Sequence, residues 1–137
     1  MIRFFALFAA LSAPAAAQVS PITFESGKLL AIAPGQWSYV ATATGSEARY
    51  DGYLSIRCDR ATRTVTVMRP GVAPGVLTIV TDSTTRNLPV GGRLLASDAI
   101  LDAMAFSRGR FIVSGGGVTL AIPSWPEAAR SIEDCRS

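Results

Sequence analysis

The chain has 137 residues, with 13 Lys and Arg against 10 Asp and Glu, two cysteines and no histidine. Without histidine a Ser-His-Asp or Cys-His nucleophilic site is excluded, and zinc and haem sites lose their commonest ligand. The net charge is only +3, and the arginines are scattered, with no basic tract and little aromatic interleaving, so nucleic acid is not an expected partner.

The first 17 residues read as a secretory signal. Arg3 forms the positive start, Phe4 to Leu11 the apolar segment, and Ala15-Ala16-Ala17 the small-residue cleavage site before Gln18. The apolar segment is too short to span a bilayer as a stable helix. With no cysteine beside the cleavage site, a lipid anchor is not expected either. Residues 18–137 are therefore expected to form a single β-rich exported domain, periplasmic or secreted, with no integral membrane segment. Loss of Arg3 leaves 12 cations against 10 carboxylates. About 120 residues suffice for one core.

Gln18 to Lys28 shows no periodicity and is expected to pack loosely. Leu29 to Ile32 reads as a short edge strand ahead of the Pro34-Gly35 turn. Gln36 to Thr42 alternates, with Trp37, Tyr39 and Ala41 on one face; Gly45 and Ser46 interrupt the pattern, and Glu47 to Tyr50 resumes it. Asp51-Gly52 is a hairpin signal, after which Leu54, Ile56 and Cys58 alternate inward. Thr64 to Met68 follows with Val65 and Val67 on one face. A Pro- and Gly-containing loop over Arg69 to Gly75 leads to a strand at Val76 to Thr81 and a weaker one at Thr85 to Val90. Arg93 to Ala96 reads as a lead-in to a helix that starts near Ser97 or Asp98 and buries Ile100, Leu101, Met104 and Ala105. Arg108 falls in its last turn and Gly109 stops it.

Arg110 to Ser114 and Val118 to Ile122 form a hairpin around a flexible Gly115-Gly116-Gly117 tip. Ser124-Trp125-Pro126-Glu127 then reads as a capping box opening a final helix, whose Ala128, Ile132 and Cys135 share an inward stripe. The whole is a mainly β (α+β) fold: an antiparallel sheet folded as a sandwich or half-barrel, with two short C-terminal helices flanking a β-hairpin.

The segments LDAMAFSRGRF (Leu101–Phe111) and IPSWPEAARSIEDCR (Ile122–Arg136) resemble the C-terminal part of a group of small uncharacterised exported proteins of Gram-negative bacteria. In order of elements the C-terminal block is similar, more distantly, to exported proteins of the invasion-associated locus B type and to the accessory-protein type of type VI secretion. The resemblance implies compartment and fold; neither type supplies a catalytic residue to transfer.

Cys58 and Cys135 are an even pair in an exported chain, which predicts a disulfide rather than two buried thiols; no C-x-x-C spacing suggests a redox pair. The bond would close a loop of roughly 77 residues and, in the chain-entropy account, contribute about 4.5 kcal/mol. It would also gather Arg57, Asp59 and Arg60 around Glu133, Asp134 and Arg136 in an ion-pair cluster.

For chemistry, Arg108 and Arg110 are the candidate anion- or partner-binding residues, through two guanidinium forks. The alternative is that Arg108 caps a helix and Arg110 pairs across the sheet or with Asp102. The remaining enzyme reading is a carboxylate-dependent cell-wall glycan hydrolase using Asp98, Asp102 or Glu127, with Glu133-Asp134 as a further pair. As helix-start acids and a solvated face these carboxylates have simpler roles. Trp37, Tyr39, Tyr50 and Tyr53 read as core or core edge, and Trp125 as a seal on one end of the core. The glycine tip lacks the Lys-Ser/Thr ending of a phosphate loop. The expectation is a non-catalytic accessory domain without metal or cofactor. It binds an envelope protein partner through an edge strand at Thr85–Val90 or Leu29–Ile32; a carrier of a small ligand is the alternative.

Overall fold

The computed structural model describes residues 21–137, so the predicted signal over residues 1–17 lies outside the described residues. The chain runs through α1 (Phe24–Gly27), β1 (Trp37–Ala41), β2 (Gly45–Tyr50), β3 (Leu54–Asp59) and β4 (Thr64–Met68). It continues through β5 (Thr78–Val80), β6 (Thr85–Asn87), β7 (Arg93–Leu95), α2 (Ala99–Phe106), β8 (Arg110–Ser114), β9 (Leu120–Pro123) and α3 (Pro126–Asp134). The strands form two open antiparallel sheets, ordered β1-β2-β3-β4-β7 and β6-β5-β8-β9.

The two sheets share one core, as in a sandwich. Leu54, Ile56, Cys58, Val65 and Val67 are fully buried, as their alternation requires, and pack in one cluster with Ile79, Phe111, Val113 and Ile122 of the second sheet. Ile100, Leu101 and Met104 of α2 and Ala128 and Ile132 of α3 complete that cluster. Each buried Val, Leu, Ile, Phe or Met side chain there contributes about 1.5–3 kcal/mol by leaving water. Trp37 and Tyr50 belong to the core, with ring centroids 5.4 Å apart, while Tyr39 and Tyr53 lie at its edge. Cys58 and Cys135 form the predicted disulfide, with Cα atoms 5.5 Å apart, and it ties the end of α3 to β3.

The N-terminal stretch is packed rather than loose. Thr23 and Ser26 cap α1 reciprocally, and Ile22, Phe24 and Leu30 cover a second cluster of Val80, Ile112 and Ala121 on the outer face of the smaller sheet. Leu29–Ile32 is not a strand. The Leu29 and Leu30 N–H groups turn back to Ser26 O and Gly27 O, so only Ile32 bridges Ala121, in parallel, before Pro34. Gly45 and Ser46 open β2 instead of interrupting a strand: a β-carbon on Gly45 would collide with the Cys58 carbonyl, so the paired register requires glycine there.

Arg93–Leu95 is a strand, not a lead-in, pairing with β4 and burying Leu94 between two exposed neighbours. Thr85–Asn87 is a short exposed edge of its sheet, as expected for the first part of Thr85–Val90. Asp98 caps α2 by accepting from Ile100 N–H at 3.0 Å, but the helix stops at Phe106, leaving Arg108 outside its last turn. The Ser107 hydroxyl accepts the Asp82 N–H and the Asp82 carboxylate accepts the Arg108 N–H, so the β5–β6 turn draws the chain out of its helical path.

Candidate functional site

The junction of α3, β9 and the 32–35 segment forms an open cleft of about 480 Å3 that contains Arg110 and Trp125, with Ile32, Pro34, Tyr50 and Pro123 in its walls. Each component is placed by a local rule. Pro123 ends β9 because its ring has no N–H to offer a further partner. Pro126 disfavours the helical region for the residue before it, so Trp125 stays extended at φ −96 and ψ 160 and becomes the N-cap residue of α3.

That steric effect displaces the helix start by one residue and breaks the expected capping box. With Trp125 at the cap, Glu127 is the second rather than the third helical residue, and the reciprocal Ser124–Glu127 bonds do not form. Ser124 Oγ and Glu127 Oε2 are instead buried without a hydrogen-bond partner among the described residues. Nor does Trp125 seal the core: it is 49% exposed, and its side chain gives α3 no capping bond. A large apolar residue thus stands half in water at a position where Ser or Asp would stabilise the helix by about 1 kcal/mol. A local rule broken in this way makes Trp125 a candidate functional position.

Arg110 enters the cleft from β8. Its Nη1 donates to Leu30 O at 2.7 Å and Gly27 O at 3.3 Å, carbonyls at and just after the end of the short α1. Nε and Nη2 have no partner among the described residues and remain available for an anion. This differs from both alternatives read from the sequence, since Arg110 pairs neither across the sheet nor with Asp102. Tyr50 is buried, and its hydroxyl is already committed to Ala33 O at 2.6 Å; burial raises its pKa above the usual phenol value. Arg108 does not line this cleft; its side chain is exposed, and among the described residues only its backbone is tied, to Asp82. The structure therefore separates the two candidate arginines.

Asp98, Asp102 and Asp134 are each engaged by a different partner. Asp98 pairs with Arg86, whose hydrogen bond holds the acid below its ordinary range despite partial burial. Asp102 receives both Nη atoms of Arg136, at 2.7 and 3.2 Å. Asp134 accepts from the Tyr39 hydroxyl and lies 3.7 Å from Arg60. The predicted ring of charges around the disulfide is thus reduced to the Arg60–Asp134 pair. Arg57 points to the opposite sheet face, Asp59 accepts the N–H groups of Ala61 and Thr62, and Arg136 is taken by Asp102.

On that opposite face Glu47 is nearly buried, held by Ser55 at 3.0 Å, Arg57 at 2.9 Å and Arg49 at 2.9 Å. Burial pushes its carboxyl up. The hydrogen bonds from Arg57 and Ser55, with the charges of both arginines, outweigh that effect and leave it below its ordinary value. Among the described residues no group of three or more Cys, Asp or Glu is arranged to hold a metal ion, and no helix is long and apolar enough to cross a membrane.

No family model, curated protein or solved structure matches this chain.

Proposed function

We propose that the chain is an exported accessory domain of the bacterial envelope that binds a partner protein in the Arg110–Trp125 cleft. The partner presents an apolar side chain to the indole and a carboxylate to the free side of the guanidinium. The observation that carries the reading is Trp125: an indole left half exposed at a helix cap, beside an arginine with unused donors. Aromatic and arginine side chains are the residue types that dominate binding interfaces. Export is supported by the pairing of the chain's two cysteines, because such bonds persist in oxidising compartments. The resemblance of Leu101–Phe111 and Ile122–Arg136 to exported Gram-negative proteins points the same way.

The test is cross-linking of the oxidised protein in envelope extract, beside Trp125→Ala, with cross-linked peptides mapped by mass spectrometry. The reading predicts one partner cross-linked to the cleft and lost at least tenfold in the variant, with the circular dichroism spectrum unchanged. A partner retained by Trp125→Ala, or cross-links on a different face, would overturn it. Recovery of the protein from the cytoplasm with residues 1–17 intact would overturn the export part.

A further inference from the structure

At one end of the sandwich the β4–β5 loop, the β6–β7 link and the β8–β9 tip enclose a second, smaller pocket of about 120 Å3. Its walls are Val67, Met68, Val72, Pro74, Val76 and Leu77. Val67 and Leu77 are buried and form the floor, whereas Met68, Val72 and Val76 are exposed at the mouth. The space depends on glycine: a β-carbon at Gly116 would lie 3.1 Å from Val72 Cγ1, in a backbone at φ +72 that side chains rarely adopt.

One charged residue, Arg69, lines this pocket. Its Nη1 donates to Gly115 O at 2.6 Å and Val118 O at 2.9 Å, which pins the glycine tip and fixes the guanidinium at the rim. Among the described residues Nη2 and Nε have no partner, and none of those lining the pocket is an acid. A fixed cation without a counter-ion, set beside an apolar hollow, is complementary to an amphiphile with a negative head. The volume fixes the tail length. A cavity of roughly 150 Å3 accommodates a benzene ring, so this one holds about four or five carbons, with the remainder crossing the exposed Met68 and Val76.

We propose that this pocket binds medium-chain carboxylates of the fatty-acid type. The chain end sits between Val67, Val72 and Leu77, and the carboxylate takes the free N–H groups of Arg69. The site is independent of the Arg110–Trp125 cleft, with which it shares no lining residue.

The test is a calorimetric titration of the oxidised protein with octanoate and with 1-octanol, together with methyl chemical shifts of Val67, Val72 and Leu77. The pocket predicts saturable octanoate binding that moves those methyls, with 1-octanol about tenfold weaker for want of the charge-assisted hydrogen bond. Arg69→Gln abolishes the preference for octanoate over octanol. Because Arg69 also holds the glycine tip, a second variant places the result on the cavity itself. Val72→Trp fills the mouth from an exposed loop position and eliminates binding of both compounds. Trp125→Ala leaves octanoate binding unchanged. Absence of saturable octanoate binding, equal affinity for the alcohol, or full binding by Val72→Trp would each overturn the proposal.

Discussion

The Tyr39 hydroxyl donates to the Asp134 carboxylate, joining the edge strand β1 to the last turn of α3, and the Arg130 guanidinium lies 4.0 Å from the centre of the same tyrosine ring. The Tyr39 hydrogen bond, opposed by burial and supported by Arg60 and Arg130, holds Asp134 below its ordinary carboxylate range. The folded chain therefore binds this proton less tightly than the unfolded chain. The stability so gained is complete above the unfolded carboxylate value of about 4 and is lost as pH falls through the lower folded value. Tyr39→Phe is expected to cost about 1.5–3 kcal/mol at pH 7, as for a hydrogen bond to a charged group, with the deficit narrowing as pH falls below about 4. Urea unfolding of both proteins at pH 7 and pH 3 measures this. A deficit of the same size at both values would show that the tyrosine acts through ring packing alone.

Gly27 separates the packed reading of the N-terminal stretch from a loose one. In a loose helical turn Gly→Ala stabilises by about 0.4–1 kcal/mol through the unfolded chain. Here the added β-carbon would sit 2.5 Å from Cγ1 and 2.7 Å from Cδ1 of Ile112, a fully buried residue in the middle of β8. Gly27→Ala is therefore expected to destabilise by about 1–3 kcal/mol, the range for overpacking a core. Thermal or urea unfolding gives the sign directly, and a stabilised variant would mean that α1 does not rest on Ile112.

These cases also show what the sequence made legible. The alternation of Leu54, Ile56, Cys58, Val65 and Val67 is strong because every inward position is apolar, and it carried the central strands and the disulfide into the correct layer. α1 is a single turn capped by Ser26 rather than by Glu or Gln, and β7 is three residues long, so neither offers enough periods to read. In α3 two rules conflicted. The Ser124–Glu127 spacing argued for one helix start, and the steric demand of Pro126 on Trp125 set another. Arg69 was not legible as a clamp, because its acceptors are main-chain carbonyls of the distant β8–β9 turn, and carbonyls leave no trace in side-chain pattern. The Arg110–Trp125 cleft has the same character, being assembled from four separated segments.

The disulfide spans 77 residues and is attached at one end to α3, a nine-residue helix that reaches the core mainly through Ala128, Ser131 and Ile132. Its removal in Cys58→Ala, Cys135→Ala is expected to cost up to about 4.5 kcal/mol and to lower Tm by on the order of 10–20 °C. Because the bond holds the end of that helix, the loss should be uneven. Amide hydrogens of Ser131 and Ile132 should exchange faster by a larger factor than those of Val113 on β8, measured by hydrogen exchange under native conditions. An unchanged Tm would remove the staple role, and uniform acceleration would show that α3 depends on the bond no more than the sheets do.

Trp125 offers a way to separate helix stability from binding. Its replacement by any small residue loses the same buried part of the indole, so a comparison of Trp125→Ala with Trp125→Ser isolates the cap. In the serine variant the hydroxyl can accept the N–H of Glu127 or Ala128, which the indole cannot do. Trp125→Ser should therefore be more stable than Trp125→Ala by about 0.5–1.5 kcal/mol in urea unfolding. Partner binding, in contrast, should fall equally in both variants, because both remove the surface on which the partner's apolar group rests. Recovery of binding by serine in step with stability would assign Trp125 to holding α3 in place, and the contact surface would then have to be sought elsewhere in the cleft. Equal loss of binding despite unequal stability would place the indole itself in the interface.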